Sequence, residues 1–129
     1  QAGADSVTIW GTGTPRREFL HVDDMAQASL FVMDLDPATY AANTHPMLSH
    51  INVGTGTDIA ILELAHKMAA ITGFRGEILT DTSKPDGTPQ KLMNVDRLAV
   101  MGWTAGIDLD AGLEQTYSWF IDNLHAFRH

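Results

Sequence analysis

The residues that could do chemistry gather first around one short stretch. Trp10 ends a β-prone segment, Ser6-Val-Thr-Ile-Trp10; a tight turn, Gly11-Thr-Gly-Thr-Pro15, follows; and Arg16-Arg17 opens the next run. An indole supplies a flat face and one N–H donor. The glycines let backbone approach a partner closely. The guanidinium of Arg17 presents a rigid donor fork that pairs bidentately with phosphate oxygens. An aromatic, a close-approach backbone and a planar cation within so few residues suit an anionic, planar ligand such as a nucleotide diphosphate.

Other chemical signals are weaker. Gly11-x-Gly13 and Gly54-x-Gly56 are each half of a dinucleotide fingerprint, without a third glycine opening a helix or an acid ending the next strand, and they read as turns. No pair of the six histidines sits at i, i+4 on a helix with a nearby acid in a recognised pattern, so no metal site is expected. No serine stands in a nucleophile elbow. Asp23-Asp24 could be paired carboxylates, but a helix cap and a first-turn acid are the commoner use of such a pair. His21 is either a functional imidazole or, more commonly, a hydrogen-bonded structural one.

Certain elements must hold these residues in place. From Arg17 to Val22 the pattern alternates, with Arg17, Phe19 and His21 on one face, which predicts a strand running straight into a helix at Asp23. That helix runs to about Leu35, with Asp24, Gln27 and Asp34 on a polar stripe and Leu30 and Met33 opposite. Phe31 falls on the polar side, as a scattered exposed aromatic or as a contact with chain lying elsewhere. Pro37 bars further helix for Asp36, and 37–48 is a polar connector with room for a helical turn. His50–Gly54 is expected as a short strand, 61–72 as a helix ending at Gly73, and Glu77–Thr80 as a strand. Ser83–Gln90 is a Pro/Gly loop, Asn94 caps a short helix over 95–101, and Asp108 caps a last helix over 109–124. Ala60 stands where Glu63 at the third helical position asks for a Ser or Thr cap, so the helix is free to start earlier, at Thr57 or Asp58. The fold class is α/β, with short strands and three to four helices.

Composition sets the outer limits. The 129 residues make one domain, long enough for a core of its own, with 44% hydrophobic and 19% charged residues. A net charge of −8 disfavours nucleic acid or an anionic membrane as partner, so phosphate binding needs a local cluster of the eight basic residues. There is no cysteine, hence no disulfide framework and no thiolate metal site. No apolar run approaches the roughly 18 residues of a membrane span. No signal peptide is visible. The chain opens at Gln1 without Met, as a piece cut from something longer would.

The run Trp10-Gly-Thr-Gly-Thr-Pro-Arg-Arg-Glu-Phe-Leu-His-Val-Asp-Asp-Met-Ala26 resembles the strand–helix block of the extended short-chain dehydrogenase/reductase family, and His50-Ile-Asn-Val-Gly-Thr-Gly56 resembles its next strand and turn. Asp81-Thr-Ser-Lys-Pro-Asp-Gly-Thr-Pro-Gln-Lys-Leu92 and Leu98-Ala-Val-Met-Gly-Trp103 narrow the resemblance to the branch that epimerises and reduces a GDP-linked keto-sugar. The resemblance runs from Ser6 to Arg128 and covers only the carboxy-terminal part of the family's proteins. It implies that 1–129 is a carboxy-terminal nucleotide-sugar binding domain, with the Rossmann domain absent from this chain.

The resemblance also implies an NADP-dependent, cytoplasmic, homodimeric parent enzyme, while the fragment alone is expected to be inactive and to bind no cofactor. The family's glycine-rich NADP turn, Tyr-x-x-x-Lys pair and serine belong to the amino-terminal domain. Tyr40 and Tyr117 are followed four residues on by Thr44 and Ile121, so neither is that tyrosine. The acid–base cysteine and histidine of such epimerases have no counterpart either. Substrate contacts carry over to Trp10, Arg17, Asp86 and Lys91. Asp86 can accept from ribose hydroxyls or from the guanine N1 and N2 edge, and Lys91 adds a point charge toward phosphate. Plainer alternatives stand beside each: an ion pair of Arg17 with Glu18 or Asp24, a turn acid in Pro-Asp-Gly, a solvated loop lysine. A non-catalytic sugar-nucleotide module, or a family member using another nucleotide carrier, also remains open.

Overall fold

The computed structural model describes residues 3–126. In order, its elements are β1 (Ser6–Trp10), β2 (Arg16–Arg17), α1 (Val22–Met33), α2 (Pro37–Asn43), β3 (Ile59–Ala60), α3 (Ile61–Thr72), β4 (Glu77–Asp81), β5 (Gln90–Lys91), α4 (Asp96–Val100), α5 (Leu109–Asp122) and a 3-10 turn, Leu124–Ala126. Arg128, where the family resemblance ends, lies outside the described residues.

Two small sheets organise the chain. β1 and β4 pair in parallel, from Ser6 opposite Glu77 to Trp10 opposite Asp81. β2 lies between β3, antiparallel to it, and β5, parallel to it. Helix α3 packs against α5, and Lys67 of α3 pairs with Asp110 of α5 at 2.5 Å. The core is thin. Among the described residues Ala28 and Leu98 are the apolar side chains buried completely, and the accessible surface of 9085 Å² compares with about 6,700 Å² expected of a compact monomer of 14.1 kDa.

Helices with strong local signals fall where the periodicity places them. Helix α3 spans Ile61–Thr72 and ends at Gly73, whose φ of 69° is the left-handed cap conformation. Asp108 caps α5, accepting from the Ala111 N–H at 2.9 Å. Helix α4 is shorter than expected, Asp96–Val100, with Val95 and not Asn94 at its cap; Asn94 accepts from Asp96 N at 2.9 Å from one residue before the cap. Asp36 caps α2, with Pro37 at its first position, so a fifth helix occupies most of the expected connector.

Four expectations are corrected. The strand predicted over 17–22 is only Arg16–Arg17, because the next residue, Glu18, turns its carboxylate onto the amides of Thr55 and Gly56 at 2.6 and 2.7 Å. Helix α1 begins at Val22, and His21 is its cap: Nδ1 accepts from Asp23 N at 3.2 Å. Asp23 and Asp24 are therefore both first-turn acids. No strand forms over 50–54; Arg97 donates to the carbonyls of Leu48 and His50, and Asn52 to Asn94 O, so side chains take the place of a ladder. Helix α3 does not start early either. The N–H groups of Ile61 and Leu62 donate to Pro15 O and Gly13 O, and Glu63 accepts from Ala60 N at 3.1 Å, so the 11–15 turn supplies what Ala60 cannot.

The inward face of α1 is also reversed. Asp24 and Ala28 are buried and Phe31 is half-buried, whereas Leu30 and Met33 are 61% and 79% exposed. Asp24 accepts from the N–H groups of Gly106, at 3.2 Å, and Ile107, at 2.9 Å, and so ties α1 to the segment that leads into α5. Phe31 faces Gly102.

Candidate ligand site

The 11–15 turn and the 82–89 loop run side by side. At one end Gly11 N donates to Asp81 O at 2.9 Å; at the other Arg16 N donates to Pro89 O at 2.8 Å. Between them Asp86 clamps the turn, accepting from Thr12 N at 2.8 Å and from Thr12 Oγ1 at 2.7 Å. These bonds, the hydroxyl's first, hold the Asp86 carboxyl below the usual carboxylate range. Gly11, at φ +82°, has to be glycine, because a Cβ there would collide with the Asp86 carboxylate.

The two adjacent arginines have different partners. Arg16 pairs with Asp58, Nε to Oδ1 at 2.7 Å, and its other branch donates to Asp58 O at 2.9 Å. Asp58 also accepts from Gln90 Nε2 at 2.5 Å, and the amide and the guanidinium together lower its pKa. Arg17 donates to Arg16 O at 2.6 Å and has no carboxylate partner among the described residues. Its two proposed acids are engaged elsewhere, Glu18 on Thr55, Gly56 and Met93 and Asp24 on Gly106 and Ile107. The ion-pair alternative for Arg17 therefore falls.

Arg17 and Phe19 wall a cavity of about 280 Å³, with Thr55, Thr57 and Asp58 on a second side and 105–109 on a third. Lys91 is the register partner of Arg17 in the parallel β2–β5 ladder, which sets the two cations side by side. Trp10 ends β1, 74% exposed, with Lys84 Nζ 5.9 Å from its ring centroid. The structure thus strings Trp10, Asp86, Arg17 and Lys91 along one loop–turn seam. Asp86, expected as a ligand acceptor or as a turn acid, has both its oxygens bound to Thr12.

Sequence reasoning missed Glu18, Thr12, Asp58 and Lys84. Glu18 and Thr12 carry no periodic signal, since each acts on a loop remote in sequence. Lys84 was visible only as one residue of the resemblance-bearing loop.

The glycines of both turns lie close against other protein atoms. Gly11 abuts the Asp86 carboxylate, Gly54 the Glu18 carboxylate, and a Cβ on Gly13 would lie 2.9 Å from Leu62 Cβ. Each of these glycines thus marks a close approach of backbone to a side chain, two of the three side chains being carboxylates. Among the described residues no group of His, Asp or Glu could hold a metal ion, and no helix is long and apolar enough to cross a membrane.

Parallel β1–β4 pairing, flanking helices and a long loop returning beside a Gly/Pro turn make a small α/β unit of the kind found in extended short-chain dehydrogenases/reductases. A sequence profile of the NAD dependent epimerase/dehydratase family matches residues 1–54. The crystal structure of a GDP-6-OMe-4-keto-L-xylo-heptose reductase from Campylobacter jejuni superposes with a TM-score of 0.84 at 38% identity, over 92% of this chain and 34% of that one. A GDP-D-glycero-L-gluco-heptose synthase from the same organism, solved in the presence of NADPH, gives 0.81 at 36% identity, over 91% and 33%. Similarity of this kind extends over nearly the whole chain. The chain is similar to the GDP-L-fucose synthase of Escherichia coli, with 56% identity over 97% of its own length. It spans 39% of the length of that relative.

Proposed function

We propose that this chain is the GDP-sugar-binding part of an NADP-dependent epimerase/reductase that converts GDP-4-keto-6-deoxy-mannose to GDP-L-fucose. One observation carries the reading. In a chain with 16 acids and eight bases, Arg17 has no acidic partner among the described residues and is set in register with Lys91. An unneutralised guanidinium beside a second cation at a cavity wall is a receptor for a dianion.

On this reading Arg17 forks onto the diphosphate and Lys91 adds a point charge. Trp10 offers its face to the flat part of the ligand. Asp86 uses the lone pairs left over from Thr12 to accept from ribose hydroxyls or the guanine edge. The 129 residues bind and orient the nucleotide-sugar. Hydride transfer and proton transfer fall to the rest of the parent, where NADP supplies the hydride; the parent works as a cytoplasmic homodimer. A GDP-heptose is the second reading, favoured by the names of the two superposing structures, and it keeps every nucleotide contact while changing the sugar.

Arg17→Ala and Arg17→Lys test this in the intact protein that carries the chain. A charge-assisted bidentate contact is worth roughly 1.5–3 kcal/mol, so Arg17→Ala weakens GDP-mannose binding about ten- to a hundredfold in calorimetric titration. Arg17→Lys recovers part of it, because an ammonium lacks the fork. Unchanged affinity with a lowered melting temperature would make Arg17 structural.

A further inference from the structure

The basic residues divide unevenly. Arg16 is paired with Asp58 and Lys67 with Asp110, and Arg97 is bound to two backbone carbonyls. Among the described residues, Arg17, Arg75, Lys84 and Lys91 have no carboxylate partner. Arg75 stands apart in the α3–β4 connection, while the other three lie along one strip. Lys84 is at its Trp10 end, over the indole at 5.9 Å, and Gly87, in the middle, approaches Arg17: a Cβ built there would sit 3.2 Å from Arg17 Nη2. Lys91 is at its far end, opposite Arg17.

The main chain at Lys84 is held in place. Asp81 Oδ1 accepts from Ser83 N at 3.0 Å and Ser83 Oγ at 2.6 Å, and Lys84 N donates to Asp81 O at 3.2 Å. Two residues on, Asp86 pins the loop to Thr12. The lysine stem therefore leaves from a fixed point, and only the side chain is free to swing. A lone ammonium over an exposed indole is a weak contact that water or a ligand readily exchanges. The same ring face stacks a planar base. Base and ammonium cannot share that face, so a base that takes the ring displaces the ammonium towards the strip on which Arg17 and Lys91 stand.

We infer that Lys84 is a further ligand-contacting residue, a third cation that rests on Trp10 in the free protein and closes onto the diphosphate of a bound nucleoside diphosphate. The inference rests on the diphosphate reading of Arg17. It makes Lys84 a determinant of specificity: its contribution belongs to the phosphates and not to the base.

The intact protein carrying this chain is titrated with GDP and with guanosine, as wild type, Lys84→Met, Lys84→Arg and Arg17→Ala. Methionine keeps an unbranched apolar stem and removes the charge. Lys84→Met weakens GDP binding about tenfold, the size of one lost charge-assisted contact, and leaves guanosine binding unchanged or tighter. Lys84→Arg stays within about threefold of wild type for GDP, since the charge is retained. GDP binding that Lys84→Met leaves unchanged while Arg17→Ala weakens it would overturn the inference and leave the diphosphate reading standing. Equal losses for GDP and guanosine would show Lys84 acting through the Trp10 ring and would overturn the phosphate contact. Failure of the diphosphate reading is read separately, from Arg17→Ala.

Discussion

Asp24 is 2% exposed and sits in the first turn of α1, where its carboxylate accepts from two backbone amides 82 and 83 residues away. Replacing it with alanine removes an anion and strands two donors. Hydrogen bonds to a charged acceptor are worth about 1.5–3 kcal/mol, and a buried donor left unsatisfied costs about 1–3 kcal/mol. Gly106 is exposed enough for water to replace its partner, so most of the loss falls on Ile107. The helix also loses a first-turn acid, a matter of about 0.3–1 kcal/mol. The expected total for Asp24→Ala is therefore about 2.5 kcal/mol, or a fall of roughly 8–10 °C in the melting temperature of a chain this size. Asp23→Ala is the internal control: the neighbouring acid is exposed, and its loss is confined to the first-turn contribution of about 0.3–1 kcal/mol. Urea and thermal melts of the 129-residue chain give both numbers, and hydrogen exchange at the Ile107 amide localises the effect. An Asp24→Ala melt within about 2 °C of wild type, with Ile107 protection intact, would refute the claim that this carboxylate ties α1 to α5.

Two other outcomes follow from the same structure. Ala60 has the extended cap conformation, φ −67° and ψ 144°, and Glu63 already returns a bond to its N–H, so Ala60→Ser adds the missing half of the box. It raises stability by about 1 kcal/mol in urea titration; no gain would mean that the carbonyls of Gly13 and Pro15 already satisfy the helix start. Asp58 and Asp86 have depressed folded pKa values, from Gln90 and Arg16 in one case and Thr12 in the other. A carboxyl of that kind stabilises fully above its unfolded value and loses the contribution as pH falls through the folded one, so the urea midpoint falls below about pH 4. The Asp58→Asn/Asp86→Asn pair flattens that slope, and an equally steep slope in the variant would assign it to other carboxylates.

Local elements were legible in the sequence because their causes are local. Helix α3 shows its apolar face and its Gly73 stop within its own residues, and Asp108 is followed three residues later by the amide that it caps. The β4 strand likewise matches its β-prone run. Arg17 and Trp10 stood out because residue type and neighbouring turn residues carry their chemistry. What stayed hidden depends on partners far along the chain. The alternation over 17–22 looks like a strand, yet a strand needs a neighbour, and β3 and β5 extend no further than two residues each. Glu18 breaks the run by serving a loop 37 residues away.

Residue identity alone thus determined the α/β class, the helix stops, the Gly/Pro turn and the chemical inventory of the seam, since propensity, capping and side-chain charge act over a few residues. Tertiary structure decided which face of α1 turns inward. Periodicity favoured Leu30 and Met33, but the unpaired amides of Gly106 and Ile107 drew Asp24 in instead. It also decided which of two adjacent arginines is free. Arg16 and Arg17 are indistinguishable by type, and the strand places one against Asp58 and the other against a cavity and Lys91. Charge neutralisation is a property of distance, and distances between remote residues exist only once the chain has folded.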